Sequence, residues 1–339
     1  MRPRLRKETG TVVSPIPPTM PDALLSGLHH ITALSGDAQD NLDFYVSVLG
    51  LRRVKTTVNF DDPTTHHLYY GDATGRPGTI LTFFPWPRAA SGRPGAGMVN
   101  AVAFAVPGGS LSEWEAHLND HGIEGETDER FGDPLLRFTD PSGLPLELVA
   151  TEGLDDATPW TDGALPNAQA IRGFHAPTLP VFAEDRTVDL FTDVFDWHRA
   201  ATAGDRVRLQ APGTGVGTTV DLLVRDRHPS GRMGSGMVHH LAFRAPDAEA
   251  QKRWQTTLRE KGLQVTDVKD RQYFRSIYFR DPDWTSGLLF EIATDGPGFL
   301  IDESEETLGD ALKLPPRLES RREELEGVLP TLAPPLTSD

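Results

Sequence analysis

The sequence predicts an α+β fold of four βαβββ modules in two tandem domains, with paired modules forming cup-shaped mixed sheets. Three observations carry this: an apolar strand pattern recurs four times, a helix start signal follows each copy, and a glycine-led strand closes each unit at a near-constant distance. A strand, a helix and three more strands leave one sheet face uncovered, so modules must pair, and a cleft is expected between them.

The first strands begin at His29-His30-Ile31-Thr32, Asn100-Ala101-Val102-Ala103, Phe174-His175-Ala176-Pro177 and His239-His240-Leu241-Ala242. Asp37, Ser110 (with Glu113 as a capping box), Asp185 and Asp247 then offer N-caps ahead of apolar residues spaced three and four apart. Gly50, Gly122 and Gly262 stand where helix C-termini favour a left-handed residue, while the third copy has Asp196 instead. The last strands are Gly78-Thr79-Ile80-Leu81-Thr82, Gly143-Leu144-Pro145-Leu146-Glu147, Gly217-Thr218-Thr219-Val220-Asp221 and Gly287-Leu288-Leu289-Phe290-Glu291. Counted from 30 to 82, 101 to 147, 175 to 221 and 240 to 291, the spacings are 52, 46, 46 and 51 residues.

On this pattern, residues 1–25 form a disordered tail, 26–152 and 170–298 two domains of two modules each, 153–169 a Pro- and Gly-containing linker, and 299–339 a C-terminal extension. A chain of 339 residues with 38% hydrophobic content has ample apolar surface for two cores. Its 33 basic against 49 acidic residues, net −16, disfavour nucleic acid and anionic membranes as partners. No run reaches the roughly 18 apolar residues of a membrane span, and no signal peptide is visible, so a cytoplasmic location is expected. With no cysteine, any metal must be held by His, Asp or Glu.

Side chains alternate along a strand, so equivalent positions in the repeat can aim at one point. First-strand positions offer His30, Ala101, His175 and His240, and last-strand positions offer Thr82, Glu147, Asp221 and Glu291. Pairing modules one and four collects His30, His240 and Glu291, a two-His-one-carboxylate set suited to non-haem Fe(II). Pairing two with three collects His175, Glu147 and Asp221, and pairing in chain order gives His175, Asp221, His240 and Glu291. Spacing alone leaves all three open. A glutamate inside Leu288-Leu289-Phe290-Glu291-Ile292 is costly to bury unless it is paired or metal-bound. His29 and His239 precede the proposed ligands and face away in a regular strand; either His of each pair could be the ligand, the second being favoured because Asp37 and Asp247 follow it by seven residues, and His67 lines or flanks the cup.

Leu28-His29-His30-Ile31-Thr32, Val58-Asn59-Phe60-Asp61-Asp62-Pro63, His67-Leu68-Tyr69-Tyr70-Gly71-Asp72 and Gly78-Thr79-Ile80-Leu81-Thr82-Phe83-Phe84-Pro85 together resemble the vicinal oxygen chelate (glyoxalase, bleomycin resistance, extradiol dioxygenase) superfamily. Within it they resemble the hydroquinone-type ring-cleaving dioxygenases, from Leu28 to the C-terminus. The resemblance implies one ligand from module one and two from module four, hence metal at His30, His240 and Glu291. It implies supporting roles for Thr32, His239, Arg271 and Tyr278, with His29 beside the ligand. The expected cofactor is Fe(II), with Mn(II) as an alternative, and the expected partners are a small aromatic substrate and O2. A homo-oligomer is compatible with the sequence. His239 is expected to act as acid/base, Arg271 to stabilise anionic oxygen and Tyr278 to orient a ring hydroxyl. The rival readings are a glyoxalase-like lyase or isomerase using a non-redox metal, and a quinone- or drug-sequestering protein.

Overall fold

The computed structural model describes residues 24–154, 157–163, 165–182, 184–282 and 287–336. Module one comprises β1 (Leu28–Ser35), α1 (Ala38–Asp43), β2 (Arg52–Val58), β3 (His66–Gly71) and β4 (Ile80–Pro85). Module two comprises β5 (Ala101–Pro107), α2 (Leu111–Asp120), β6 (Glu126–Arg130), β7 (Asp133–Thr139) and β8 (Pro145–Thr151). Module three has β9 (Gly173–Val181), α3 (Glu184–Asp189), β10 (His198–Ala203), β11 (Arg206–Gln210) and β12 (Thr219–Val224). Module four has β13 (Met237–Ala245), α4 (Ala248–Glu260), β14 (Lys269–Asp270), β15 (Arg275–Arg280) and β16 (Leu289–Thr294). A last helix, α5 (Arg322–Val328), lies in the C-terminal extension.

The expected strand–helix–three-strand unit is present four times, with local differences at the helix ends. Asp37 accepts hydrogen bonds from the N–H groups of Gln39 and Asp40, and Asp247 from that of Ala250, each cap contributing about 1 kcal/mol. Ser110 is no side-chain cap, because its hydroxyl donates to Pro107 O at 2.7 Å instead. The side chain of Asp185 lies outside the described residues. Helices α1 and α3 each run on into a π-helical turn, Phe44–Val48 and Leu190–Val194. After the second of these Asp196 takes φ +60° where Gly50 takes +66° in module one.

The strands form two eight-stranded sheets, in the orders β14-β15-β16-β13-β1-β4-β3-β2 and β10-β11-β12-β9-β5-β8-β7-β6. Module one therefore pairs with module four and module two with module three, each pair joined by antiparallel first strands, β1 with β13 and β5 with β9. Pairing in chain order is excluded. Alternation sorts β1 by face: Ile31 and Ala33 join a continuous core that draws on all four modules, including Phe104, Phe174 and Phe243, while His30 and Thr32 are buried on the opposite, concave face.

The segments outside the modules are tied to them. Leu25, expected at the end of a disordered tail, is fully buried and its carbonyl accepts from Trp197 Nε1 at 2.9 Å; residues 1–23 of that tail lie outside the described residues. The C-terminal extension covers the edge strand β2, where Lys313 N donates to Thr56 O at 2.9 Å and Leu314, Leu318 and Leu325 pack against Val58. Lys55 on the same strand is fully buried and ion-paired with Asp302 at 2.6 Å and with Glu303.

Between modules one and two, the Tyr45 hydroxyl donates to Asp140 Oδ2 at 3.1 Å, and Asp140 also accepts the N–H groups of Ser142 and Leu144. Burial pushes the Asp140 carboxyl up to about 6, these hydrogen bonds offsetting only part of the penalty. In the unfolded chain it titrates near 3.9. The folded protein thus keeps a proton that the unfolded chain releases, so this contribution to stability is complete below about pH 4 and is lost as the pH rises through about 6. In thermal melts, Asp140→Asn should gain on the wild type by up to ~3 kcal/mol across that window. A difference independent of pH would rule out a perturbed Asp140.

Candidate metal centre

The centre of the first sheet owes its form to two irregularities in one strand pair. Along β1 and β13, Leu28 faces Phe243 but His30 faces Ala242, and further along Thr32 faces His240 but Ala33 faces Val238. Each strand therefore carries one extra residue, His29 on β1 and His239 on β13. A bulge re-aims the side chains around it. His29 and His239, expected to face away from their neighbours, are instead turned onto them: His29 Nδ1 lies 3.0 Å from His30 Nδ1, and His239 Nδ1 lies 2.8 Å from His240 Nδ1.

With Nδ1 engaged, His30 and His240 direct their Nε2 atoms toward Glu291 on β16. The two Nε2 atoms are 3.3 Å apart, and Glu291 Oε2 is 2.9 Å from that of His240 and 3.6 Å from that of His30. All three residues are buried, and among the described residues they form the one His/Asp/Glu group able to hold a metal. The donor set fits such an ion on three counts. Ligands ~2.1 Å from a common centre would be roughly 3 to 3.5 Å apart, and these atoms are separated by 2.9, 3.3 and 3.6 Å. Glu291 Oε1 accepts from the Ser276 hydroxyl, whereas the buried Oε2 makes no hydrogen bond, with His240 Nε2 2.9 Å away. Finally, if each ligand imidazole donates through Nδ1, both Nε2 lone pairs and a carboxylate converge on one point, an arrangement that calls for a cation.

The electrostatics agree. Burial pushes the Glu291 carboxyl up, but His30, His240 and Ser276 outweigh it and hold the group well below the usual carboxylate range. Burial lowers His29 and His239 each to about 4, so both rings are neutral near pH 7 and able to accept at Nδ1. His29 is also bonded to the backbone of Thr294, which leaves it a partner for its second nitrogen.

The cup is a cavity of about 320 Å³, within the ~300–1,000 Å³ range of small-molecule sites. Phe60, Phe84, Trp86 and Phe274 are among its walls, and His67, His239, Arg271 and Tyr278 bring polar groups into it. Thr32 lines it too, whereas His29 lies behind His30. Arg271 Nε donates to the Tyr278 hydroxyl at 3.2 Å, and its Nη2 pairs with Asp61 at 3.0 Å. The Phe274 ring lies tilted against both His29 and His30, with ring centroids 5.0 and 4.9 Å apart. Asp61, Phe274 and Tyr69 were not singled out from the sequence as site residues. Tyr69 could have been, because it lies two residues from His67 and so shares its face of β3.

The second sheet offers a control. Parallel pairing puts Glu291 beside Ala242, Glu147 beside Ala103 and Asp221 beside Thr178, so the slot two residues earlier holds His240, Ala101 and Ala176. His175 therefore matches His29 and His239, one residue off the ligand position, and it too is the extra residue of a bulge. The carboxylates here meet guanidinium groups instead. Arg130 forks onto Glu147 at 2.6 and 2.5 Å, and Arg208 onto Asp221 at 2.8 and 3.0 Å.

A family model described as "Glyoxalase/Bleomycin resistance protein/Dioxygenase superfamily" matches residues 27–148 and 173–292. The chain is 46% identical to MhqO of Bacillus subtilis, provisionally named a ring-cleaving dioxygenase, over 90% of this chain and 96% of that one. It is 35% identical to the chlorohydroquinone/hydroquinone 1,2-dioxygenase of Sphingobium indicum, over 89% and 95% of the two chains. The crystal structure of a Bacillus subtilis protein, provisionally named a dioxygenase, superposes with a TM-score of 0.87 at 44% identity, covering 92% of this chain and 99% of that one. With its bulged His-His pairs, its converging ligand set and these matches, the chain belongs to the glyoxalase, bleomycin resistance protein and dioxygenase superfamily.

Proposed function

We propose that this protein is an Fe(II)-dependent dioxygenase that opens the ring of a hydroquinone- or catechol-type substrate. The observation that carries the reading is the buried convergence of His30, His240 and Glu291 beneath an aromatic-walled cup, in a chain whose relatives are named for ring cleavage. Fe(II) held by those three side chains would supply open coordination faces for a ring oxygen and for O2, and Mn(II) could occupy the same donors.

The protein's own residues supply the rest. The apolar walls hold the ring and exclude water from it. Tyr278, its hydroxyl fixed by Arg271 Nε, orients a ring oxygen, and the Arg271 charge, itself steadied by Asp61, stabilises negative charge on oxygen as it develops. Burial keeps His239 neutral, and with its Nδ1 accepting from His240 the proton sits on its other nitrogen, which can donate to an oxygen of the substrate or product. His29 and His239 hold the ligand imidazoles in the tautomer that leaves Nε2 free.

Protein loaded with Fe(II) under argon should take up O2 when given hydroquinones or catechols, and zinc-loaded protein should not. An oxygen electrode decides this, and full iron occupancy with no uptake across the panel would end the dioxygenase reading. A lyase or isomerase would turn over without oxygen. Arg271→Leu should keep its iron and lose at least tenfold in kcat, which is about 1.4 kcal/mol of barrier. An unchanged rate would remove Arg271 from the reaction.

The ligand assignment has its own test. His30→Ala should lose most of its iron by metal analysis, whereas His175→Ala, on the second sheet, should stay near wild type. Thermal melts of both variants distinguish ligand loss from misfolding. Iron retained by folded His30→Ala would dismiss the proposed centre.

A further inference from the structure

Thr82 occupies the last-strand slot of module one, where module four has Glu291, and its side chain is neither a ligand nor idle. Its hydroxyl donates to Thr32 Oγ1 at 2.9 Å and is met by His67 Nε2 at 2.9 Å, while His67 Nδ1 lies 2.9 Å from the Tyr69 hydroxyl. Four groups are thus linked in single file, Tyr69, His67, Thr82 and Thr32. The two ends of the file, Tyr69 and Thr32, both line the cup.

The chain of bonds has two self-consistent proton arrangements. In one, Tyr69 donates to Nδ1, Nε2–H donates to Thr82 and Thr82 to Thr32, which leaves the Thr32 hydrogen free for the cup. In the other every donor and acceptor is exchanged, Nδ1–H donates to Tyr69, and the phenol hydrogen is the free one. A neutral imidazole passes between them by changing tautomer. Burial lowers His67 well below the usual imidazole range, with the neighbouring histidines adding to the effect, so the neutral form is the one present.

We propose that Tyr69, His67, Thr82 and Thr32 form a proton relay that takes a proton from the substrate at one point of the cup and returns it to the product at another. This rests on the dioxygenase reading and extends it. Joining O2 to a dihydroxybenzene forms two C–O bonds and breaks one ring C–C bond and the O–O bond. The four electrons that O2 accepts come from ring carbon, every atom is retained, and the proton count does not change. A proton given up by a ring hydroxyl must therefore come back. A ring hydroxyl donates to the Tyr69 oxygen, the Tyr69 proton moves to Nδ1, the Nε2 proton to Thr82, the Thr82 proton to Thr32, and the Thr32 proton to an oxygen of the opened product. Exchange with water after product departs restores the first arrangement.

The test uses Fe(II)-loaded full-length protein, the near-isosteric variants Tyr69→Phe and Thr82→Val, and their combination, with hydroquinone as substrate. A wire cut once is cut throughout, so each single variant should lose about tenfold or more in kcat, keep iron content and KM within about twofold, and reduce the solvent isotope effect. The double variant should be no slower than the slower single one. Single variants within about twofold of wild type, or losses that multiply in the double variant, would overturn the relay. A wild type that takes up no O2 would instead fail the dioxygenase reading. In that event the 15N shifts of His67 in zinc-loaded protein decide the relay: a neutral ring whose Nδ1 shift moves in Tyr69→Phe supports it, and an imidazolium near pH 7 or an unmoved shift refutes it.

Discussion

The antiparallel pairing of β1 with β13 is the constraint on which the rest of the first sheet depends. It joins residues 210 apart in sequence, closes modules one and four into a single curved sheet, and sets the distance between His30 and His240. Regular pairing would have left one histidine of each pair on the wrong face. The extra residue in each strand removes that alternation locally, so the adjacent rings can bond through Nδ1. Ligand and support are therefore encoded as neighbours in the chain, and the backbone irregularity is what makes such neighbours useful to one another.

A buried carboxylate needs a positive partner, and the two sheets meet that need in different ways. In the second sheet Glu147 and Asp221 are satisfied by Arg130 and Arg208. The hairpin that brings in Arg130 holds the following Phe131 at φ +55°, unfavourable for an aromatic residue, with its ring over Arg208 at 4.4 Å. In the first sheet, among the described residues, no guanidinium pairs with Glu291; the groups around Oε2 are imidazoles. The two sheets share one strand plan, and arginine in the second against histidine in the first makes the second a structural ion-pair cluster and the first a candidate metal centre.

Most of the architecture was legible because repetition amplifies weak local signals. Four strand starts, four helices and four glycine-led final strands stand out even though Ser110 does not cap through its side chain and Asp196 replaces a glycine. Glu291 stood out because a charge in an apolar run has few harmless explanations. The bulges were hidden: one extra residue leaves no trace in composition or in a spacing of about fifty, which is why His175 was matched to His30 when the strand register matches it to His29. The partner of each module was equally hidden, since periodicity describes a strand's faces and says nothing of which edge it meets; resemblance to a family resolved it. Side-chain contacts across loops, such as Asp61 with Arg271, carry no sequence pattern at all.

The order of the modules in the sheets has the form of nested brackets: the second and third close on each other inside the first and fourth. During synthesis the inner pair can close as soon as β9 to β12 have emerged, while β1 must wait for β13 and Glu291 for β16. The outer contacts have the longer sequence separation and therefore the larger entropic cost of loop closure. A nascent chain that ends before β13 contains every strand of the inner sheet and still lacks His240 and Glu291. A metal held by these three residues could be taken up only after nearly the whole polypeptide has been made, and its binding would then report that both ends of the chain have found each other.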